Sequence, residues 1–449
     1  MASEERLAQR LGELIGAKHV LLGSDASAYA VDGKSPQAAV FPGSVDEMAA
    51  VMACASAERL KVAPWGSGTK ISLGSAPERV DIVLGLSRLN DMVDYAPEDM
   101  TATFQAGILL KDAQAVLSQK GQWIALDPPH ADRATVGGVL ATNSSGPRRL
   151  RYGSARDFLI AIRVVHADGK ITKGGAKVVK NVSGYDMPKL YVGSLGTLGI
   201  IAEATFRVYP LPAVEKTFLA SFPTLEAEQQ VLGKLLDSTI VPNAVELLNP
   251  EAARRIAVQA GLPWRDRGYG LAVAIGSVPE AVEAQILGVK KLCAEGGSLQ
   301  GHVLDRPVQH TFWQAVRDFA MDDGHRAVLK ASVLLTRVGE AVRKGEEAAA
   351  KAGLAVGVVS EAGSGIVRYY LSGDRPGALQ RGLIEVVNSL RAFAREAEGS
   401  LILLEAPAEA KATLDVWGSV GNTLPLMRGL KEQFDPQRIL NPGRFVGGI

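Results

Sequence analysis

Pro64-Trp65-Gly66-Ser67-Gly68-Thr69 directs the reading of this 449-residue sequence, because it completes Lys61–Trp65, a short run that reads as a buried strand. Its small residues let successive backbone N–H groups turn toward one anion, and a pyrophosphate suits such a concavity. A glycine-rich turn after a strand is often only a turn, so the reading needs a partner elsewhere in the chain. One common pattern fails locally: after Gly66 and Gly68, the position that G-x-G-x-x-G reserves for a third glycine holds Ile71. A nicotinamide-type dinucleotide fold is therefore not expected.

The partner lies downstream. Pro128-Pro129-His130 is followed by Ala134-Thr135-Val136-Gly137-Gly138 and then Ala141-Thr142-Asn143-Ser144-Ser145-Gly146. These small residues, with their hydroxyl and amide groups, let a flat ring and a diphosphate come close to the backbone. Gly193-Ser194-Leu195-Gly196-Thr197-Leu198-Gly199-Ile200-Ile201 adds a further cluster. Together they exceed what turns alone require.

Around these clusters the pattern is mixed α/β. Ser44 and Glu47 fit a capping box ahead of Met48, Val51, Met52 and Ala55 at one-face spacing, which predicts a helix. Asp81–Leu86 and Thr101–Gln105 read as strands, Leu109–Gln119 as a helix, and Phe158–Ala167 as a strand closed by the turn pair Asp168-Gly169. Tyr209-Pro210-Leu211-Pro212 breaks the pattern, because proline cannot continue a ladder or a helix interior. A domain boundary is expected there.

Beyond it, helical Leu225–Asp237 and Val338–Lys351 alternate with strand-like Leu271–Ile275, Ala327–Leu335 and Gly365–Leu371, as in helices packed on an antiparallel sheet. The last stretch, Thr423–Phe434 and then Asp435-Pro436 to Arg444, reads as a helix, a turn and a tail. The expected division is 1–212, 213–422 and 423–449, with the last segment returning to the first domain. The fold class is α+β.

Composition narrows the function classes. Hydrophobic residues at 47% and charged residues at 22% suit a globular enzyme with a sizeable core. A formal net charge of +1 provides no field to gather nucleic acid or an anionic membrane, so neither partner is expected. The cysteines, Cys54 and Cys293, provide no disulfide framework and no cysteine cluster for zinc or iron–sulfur. Met1 to Leu14 is charged and amphipathic, and no run approaches the roughly 20 apolar residues a spanning helix needs. A cytoplasmic protein without a transmembrane segment is expected, and no metal site.

Five further motifs are Asp127-Pro128-Pro129-His130, Ser145-Gly146-Pro147-Arg148-Arg149, Gly153-Ser154-Ala155-Arg156-Asp157-Phe158, Lys180-Asn181-Val182-Ser183-Gly184-Tyr185-Asp186, and Phe434-Asp435-Pro436 through Asn441-Pro442-Gly443-Arg444. On these residues the sequence resembles the FAD-linked oxidases of the vanillyl-alcohol oxidase and para-cresol methylhydroxylase (PCMH) type. Within that group it is similar to the FAD-binding accessory subunits of bacterial glycolate oxidases. The resemblance covers the first half and the tail, and is faint between Phe218 and Leu424.

It implies a two-part PCMH-type FAD-binding domain followed by an α+β cap domain with an antiparallel sheet. Pro64, Trp65, Gly66, Ser67, Gly68 and Thr69 would lie along the FAD pyrophosphate. Pro129, Thr135, Val136, Gly137, Gly138, Thr142, Asn143, Ser145 and Gly146 would line the other wall. Gly199, Ile200 and Ile201 would reach the adenine or ribose, and Asn441 the flavin edge. Some relatives tether the flavin to histidine or cysteine, but Trp65 to Ser72 has neither, and His130 is the nearest histidine among these motifs. FAD is therefore expected to be non-covalent.

The second domain departs from the pattern. Catalytic D-2-hydroxy-acid dehydrogenases of the group carry Gly-His-x-Gly-Asp-Gly-Asn-x-His and Glu-His-Gly. The comparable places here hold Glu361 to Tyr369 and Leu403-Leu404-Glu405-Ala406-Pro407, without histidine. Oxidising a 2-hydroxy acid needs a base near the hydroxyl and a cation for the carboxylate. The candidates are His325, Arg326 and Arg368, each with a plainer reading as a surface or core-edge residue. The basic run Arg148, Arg149, Arg151 and Arg156 reads equally as a solvated loop or as a site for a partner or phosphate.

Three functions stay open. One is an electron-transferring FAD subunit in the oxidation of glycolate or a similar 2-hydroxy acid, beside a catalytic flavoprotein subunit and an iron–sulfur subunit. The second is a self-sufficient FAD-dependent 2-hydroxy-acid dehydrogenase. The third is a scaffold that has lost its flavin, against which the intact glycine clusters speak.

Overall fold

Ser44 caps the helix Val45–Ala57, its side chain accepting from the Glu47 backbone N–H at 3.0 Å. Glu47 completes the cap one residue earlier than the box predicts, its carboxylate accepting from the Gly43 N–H at 2.6 Å. The helix buries Met48, Val51, Met52 and Ala55, the residues that predicted it. These details come from a computed structural model that describes residues 2–177, 184–264, 268–321, 326–373 and 376–449.

The described chain divides into two compact units. The first comprises Met1–Ser145, Ser154–Leu211 and Ser419–Ile449; the second comprises Gly146–Gly153 and Pro212–Gly418. The short basic segment Gly146–Gly153 thus belongs with the second unit, which no local sequence pattern indicates. The proline break is gentler than expected, because Tyr209–Pro210 forms a two-residue strand against Gln122–Trp123 before the chain leaves the first unit.

In the first unit a four-stranded sheet runs in the order Val20–Leu22, Ala38–Val40, Ile82–Gly85, Val62–Trp65. Its last three strands are parallel, so Val62–Trp65 is buried against Ile82–Gly85 and its C-terminal end opens into the Gly66–Thr69 turn. A five-stranded antiparallel sheet runs Met92–Ala96, Thr101–Gln105, Ile200–Arg207, Leu159–Val165, Ile171–Gly175. Between the two parts sits the short helix Val136–Thr142, whose Gly137 N–H donates at 2.7 Å to the Ala106 carbonyl.

The tail completes this unit. After the helix Leu424–Phe434, the backbone crosses to the free edge of Val62–Trp65: the Val62 N–H donates to Ile439 at 2.8 Å, and the Asn441 N–H donates to Val62 at 2.9 Å. Asp435 fixes the crossing. Its carboxylate accepts from the Ile439 and Leu440 N–H groups at 2.8 and 2.7 Å and pairs with the Lys431 ammonium at 2.7 Å. Lys431 also donates to the Thr197 and Leu440 carbonyls, so every proton of this buried ammonium has an acceptor.

The second unit is built on one eight-stranded antiparallel sheet. Its order is Gln300–Leu304, Val214–Phe222, Tyr269–Ser277, Ala244–Leu248, Ala355–Glu361, Ile366–Ser372, Arg326–Ser332, Ser400–Glu405. Alternation splits the side chains between two cores. Val245, Leu247, Leu329, Val367 and Tyr369 enter the larger core with the helices Leu225–Leu236, Pro279–Glu295, Val338–Lys351 and Pro376–Glu396. Leu248, Val328 and Tyr370 enter the other core, with Pro250–Gln259 and Val308–Arg317. The strand expected over Ala327–Leu335 stops at Ser332, and Leu335–Arg337 is a short 3-10 turn.

Asp435→Ala strands the buried Lys431 ammonium and removes the acceptor for two N–H groups. Urea unfolding of the variant is expected to show a loss of about 3–5 kcal/mol, the usual cost of removing one partner of a buried pair. A loss below about 1 kcal/mol, the level of an exposed pair, would contradict this role for the clamp.

Candidate cofactor-binding site

The turn after Val62–Trp65 has its shape set by two glycines. Gly68 has φ 78°, a conformation L side chains rarely adopt. A Cβ on Gly66 would lie 2.2 Å from Thr135 Oγ1, so the turn and the helix Val136–Thr142 approach each other as closely as a missing side chain allows. Among the described residues, the backbone N–H groups of Ser67, Gly68 and Thr69 have no hydrogen-bond partner. Lys70 anchors the turn, its ammonium donating to the Pro129 carbonyl at 2.7 Å.

Thr135 caps the opposing helix, with Oγ1 accepting from the Gly138 N–H at 3.2 Å, and Thr142 Oγ1 returns to the Gly138 carbonyl at 2.7 Å. Asn143 ends the helix in the left-handed conformation at φ 47°. The Thr135 and Thr142 hydroxyls are thus used in shaping the backbone, while the buried Asn143 Oδ1 has no hydrogen-bond partner among the described residues. The third wall, Leu195 to Ile201, is tied to the tail by Asn441 Nδ2, which donates to the Leu195 carbonyl at 2.7 Å. Arg444 closes the base, donating to the Ile71 carbonyl at 2.5 Å and to that of Leu73. Burial pushes its guanidinium down to about 10, with the Asp32 charge opposing.

These elements enclose one groove with about 740 Å³ of space, its open mouth included. That is within the range of cofactor pockets. The groove is largely apolar in its walls, with the unpartnered N–H groups of the 66–69 turn on one side. Asn441 lines it, and its buried Oδ1 has no hydrogen-bond partner among the described residues. An elongated ligand with a diphosphate and flat rings fits this combination of close backbone, free donors and an unused amide oxygen.

Fourteen expected residues line the groove: Pro64, Trp65, Gly66, Ser67, Gly68, Thr69, Thr135, Gly137, Gly138, Thr142, Gly199, Ile200, Ile201 and Asn441. Pro129, Val136, Asn143, Ser145 and Gly146 do not. Pro129 braces Lys70, Val136 is buried in the core, Asn143 caps the helix, Ser145 is buried, and Gly146 falls in the second unit. The structure adds Lys70, Ile71, Leu73, Leu86, Ala141, Leu195, Gly196 and Arg444 to the lining. Arg444 was visible in the tail motif, but nothing in its spacing says that it folds back under the 66–69 turn.

Residues 36–175 match the FAD binding domain family, and residues 211–402 with 418–445 match the C-terminal domain of FAD linked oxidases. The chain belongs to the FAD-linked oxidases. FAD is its cofactor, and the groove is where the residues of this chain fit it. A FAD-linked oxidase similar to it is glycolate oxidase subunit GlcD of Bacillus subtilis, 29% identical over 91% of this chain and 89% of that protein. D-lactate dehydrogenase of Anaerostipes hadrus is 28% identical over 96% of this chain and 95% of its own length. In fold the chain resembles p-cresol methylhydroxylase, with a TM-score of 0.78, 17% identity, and coverage of 99% and 97% of the two chains. The PCMH-type α+β architecture expected from the motifs is thus present.

None of the residues lining the groove of this FAD-linked oxidase is a histidine or a cysteine. His130 stands outside the lining, with a ring nitrogen 3.2 Å from the Arg133 guanidinium. Of the catalytic candidates, His325 lies outside the described residues. Arg326 is paired with Glu405 at 2.8 Å, and Arg368, buried in the sheet, is paired with Glu361 at 2.5 Å. Among the described residues no group of three or more His, Cys, Asp or Glu side chains could hold a metal ion.

In Gly66→Ala the new methyl group meets the Thr135 hydroxyl, and the 66–69 donors must move. The FAD dissociation constant is expected to rise about tenfold or more, equivalent to at least roughly 1.4 kcal/mol. Flavin fluorescence titration and flavin absorbance per chain after gel filtration measure it, with far-UV circular dichroism confirming the fold. Unchanged flavin retention would remove the turn from the binding site.

Proposed function

We propose that this chain is a FAD-binding oxidoreductase subunit acting in the oxidation of glycolate or a similar small 2-hydroxy acid in the cytoplasm. FAD, held without a covalent bond, supplies the two-electron redox chemistry. The chain's own part is to bind and orient it: the 66–69 donors would hold the diphosphate, Thr135 to Thr142 would form a wall of the site, and Asn441 would offer its amide to the ring. Electrons then pass to partner subunits, a catalytic flavoprotein and an iron–sulfur protein. The substrate class rests on relatives named for glycolate and D-lactate.

The observation that carries the subunit reading is the state of the expected catalytic cations. A catalytic base must reach the hydroxyl and a cation must meet the carboxylate. Arg326 and Arg368 are both engaged by glutamates of their own sheet. No described helix is long and apolar enough to cross a membrane. A self-sufficient dehydrogenase is the second reading, favoured by the half-buried Lys330, which lies in register with Arg368 on the neighbouring strand.

The visible spectrum of the purified chain, recorded without oxygen before and after adding glycolate, separates the two. The expected result is a flavin spectrum that stays oxidised with the chain alone and bleaches only when the partner subunits are added. Bleaching by glycolate in the isolated chain would overturn the subunit reading in favour of a self-sufficient enzyme. Release of the flavin on denaturation is expected, and flavin retained on the denatured chain would contradict non-covalent binding.

A further inference from the structure

The eight-stranded sheet of the second unit has two ends, and the chain treats them differently. At one end the Leu403 N–H, on Ser400–Glu405, donates at 2.9 Å to the Val416 carbonyl, so a returning segment covers part of that edge. At the other end Gln300–Leu304 pairs with Val214–Phe222, and among the described residues no strand lies on its outer side. An open edge is a template for another strand, and proteins blunt such edges with charges, prolines or bulges. The five-stranded sheet follows that rule: its edge Met92–Ala96 carries Asp94 and a register shift, and its edge Ile171–Gly175 carries Lys173. Gln300-Gly301-His302-Val303-Leu304 contains no lysine, arginine, acid or proline, and it pairs without a shift.

The surface beside this edge carries an exposed apolar stripe. Val303 is 44% exposed and stands opposite Phe218, whose ring fills the space that a side chain at Gly301 would take. This is the face of the larger core, on which the helix Pro279–Glu295 packs through Val282, Ile286, Val289 and Cys293. Lys216 pairs with Glu283 of this helix at 2.6 Å and with Asp305, just beyond the edge strand, at 3.6 Å. The Glu283 side of the helix therefore faces the open edge. Helical spacing puts Leu287, 64% exposed, and the exposed Lys290 on the same side.

We propose that this edge is the interface of a homodimer, in which Gln300–Leu304 pairs antiparallel with the same strand of a second copy and the two sheets become continuous. The occupant is a second copy because the stripe is its own complement under a two-fold axis. Glu283, Leu287 and Lys290 run acid, apolar, base, so an axis beside Leu287 brings Glu283 of each copy toward Lys290 of the other. The strand gives the same axis. The midpoint of the stripe lies about 5 Å along the helix from Glu283, or roughly one and a half strand residues back from Asp305. That is Val303, which then lies directly opposite its own copy, with Leu287 of both copies above it. The interface uses no residue of the FAD groove, and the choice of substrate does not enter it.

Sedimentation velocity of the flavin-loaded chain at micromolar concentration tests the interface. Wild type is expected to sediment as a dimer. Val303→Lys sets two like charges opposite each other at the axis and is expected to raise the dimer dissociation constant about tenfold or more. Lys290→Glu is expected to weaken the dimer at low salt and to regain affinity at high salt. Wild type responds in the reverse sense, because screening removes an attraction there and a repulsion in the variant. Val303→Cys is expected to give a disulfide-linked dimer on mild oxidation, since Cys54 and Cys293 are buried. A monomeric wild type, which is also the result if only a partner of another kind fills the edge, would overturn the proposal. So would a dimer unchanged in Val303→Lys, the same salt response in Lys290→Glu as in wild type, or no cross-link in Val303→Cys. The flavin spectrum and far-UV circular dichroism of each variant separate lost pairing from a lost fold.

Discussion

The Asp435 carboxylate is the point on which the architecture of the FAD-binding unit turns. It is fully buried and accepts two backbone N–H groups and the Lys431 ammonium, which itself reaches back to the Thr197 carbonyl. One ion pair therefore joins the last helix, the chain that follows it and the Gly193–Gly199 loop. A buried charge is tolerated only when its remaining protons and lone pairs are satisfied, and here they are. Because Ile439 and Asn441 then pair with Val62, the strand that delivers the Gly66–Thr69 turn is braced on both edges. Asn441 and Arg444 reach the groove only because this crossing brings them there.

Much of that unit was legible in its sequence, for local reasons. The Ser44 cap, the buried strand before Pro64 and the glycine of the Gly66–Thr69 turn are constraints that neighbouring residues impose on one another, and a linear string displays them. Fourteen expected lining residues meet in one groove for the same reason: each cluster sits at the end of a strand or on a capped helix. The residues that failed to meet it are instructive. The Asn143 backbone ends a helix while its buried Oδ1 has no partner among the described residues, and the Pro129 carbonyl accepts from the Lys70 ammonium. Small-residue motifs do not distinguish groups that touch a ligand from groups that hold the backbone for those that do.

What could not be read was long-range. Arg444 beneath the turn, more than three hundred residues away in sequence from the carbonyls it binds, depends on the tail crossing and leaves no periodic signal. The second unit hides its chemistry more thoroughly. Arg368 is visible in sequence as a lone arginine in a strand, but its meaning depends on register, which sets Lys330 opposite it and Glu361 on the diagonal. A slip of one residue would turn the whole row to the other face, where Val367 and Tyr369 fill the larger core.

Register also explains why the row persists in an otherwise apolar sheet. Glu361 and Arg368 neutralise each other at short range, so replacing either alone leaves a buried charge without its counterpart. That coupling makes the pair a fixed piece of the scaffold and leaves its reactive capacity low. Lys330 differs in both respects: it is only partly withdrawn from solvent and lies next to a like charge. A scaffold needs no such cation there, and a nonpolar side chain would relieve the Arg368 repulsion at no cost in hydrogen bonds.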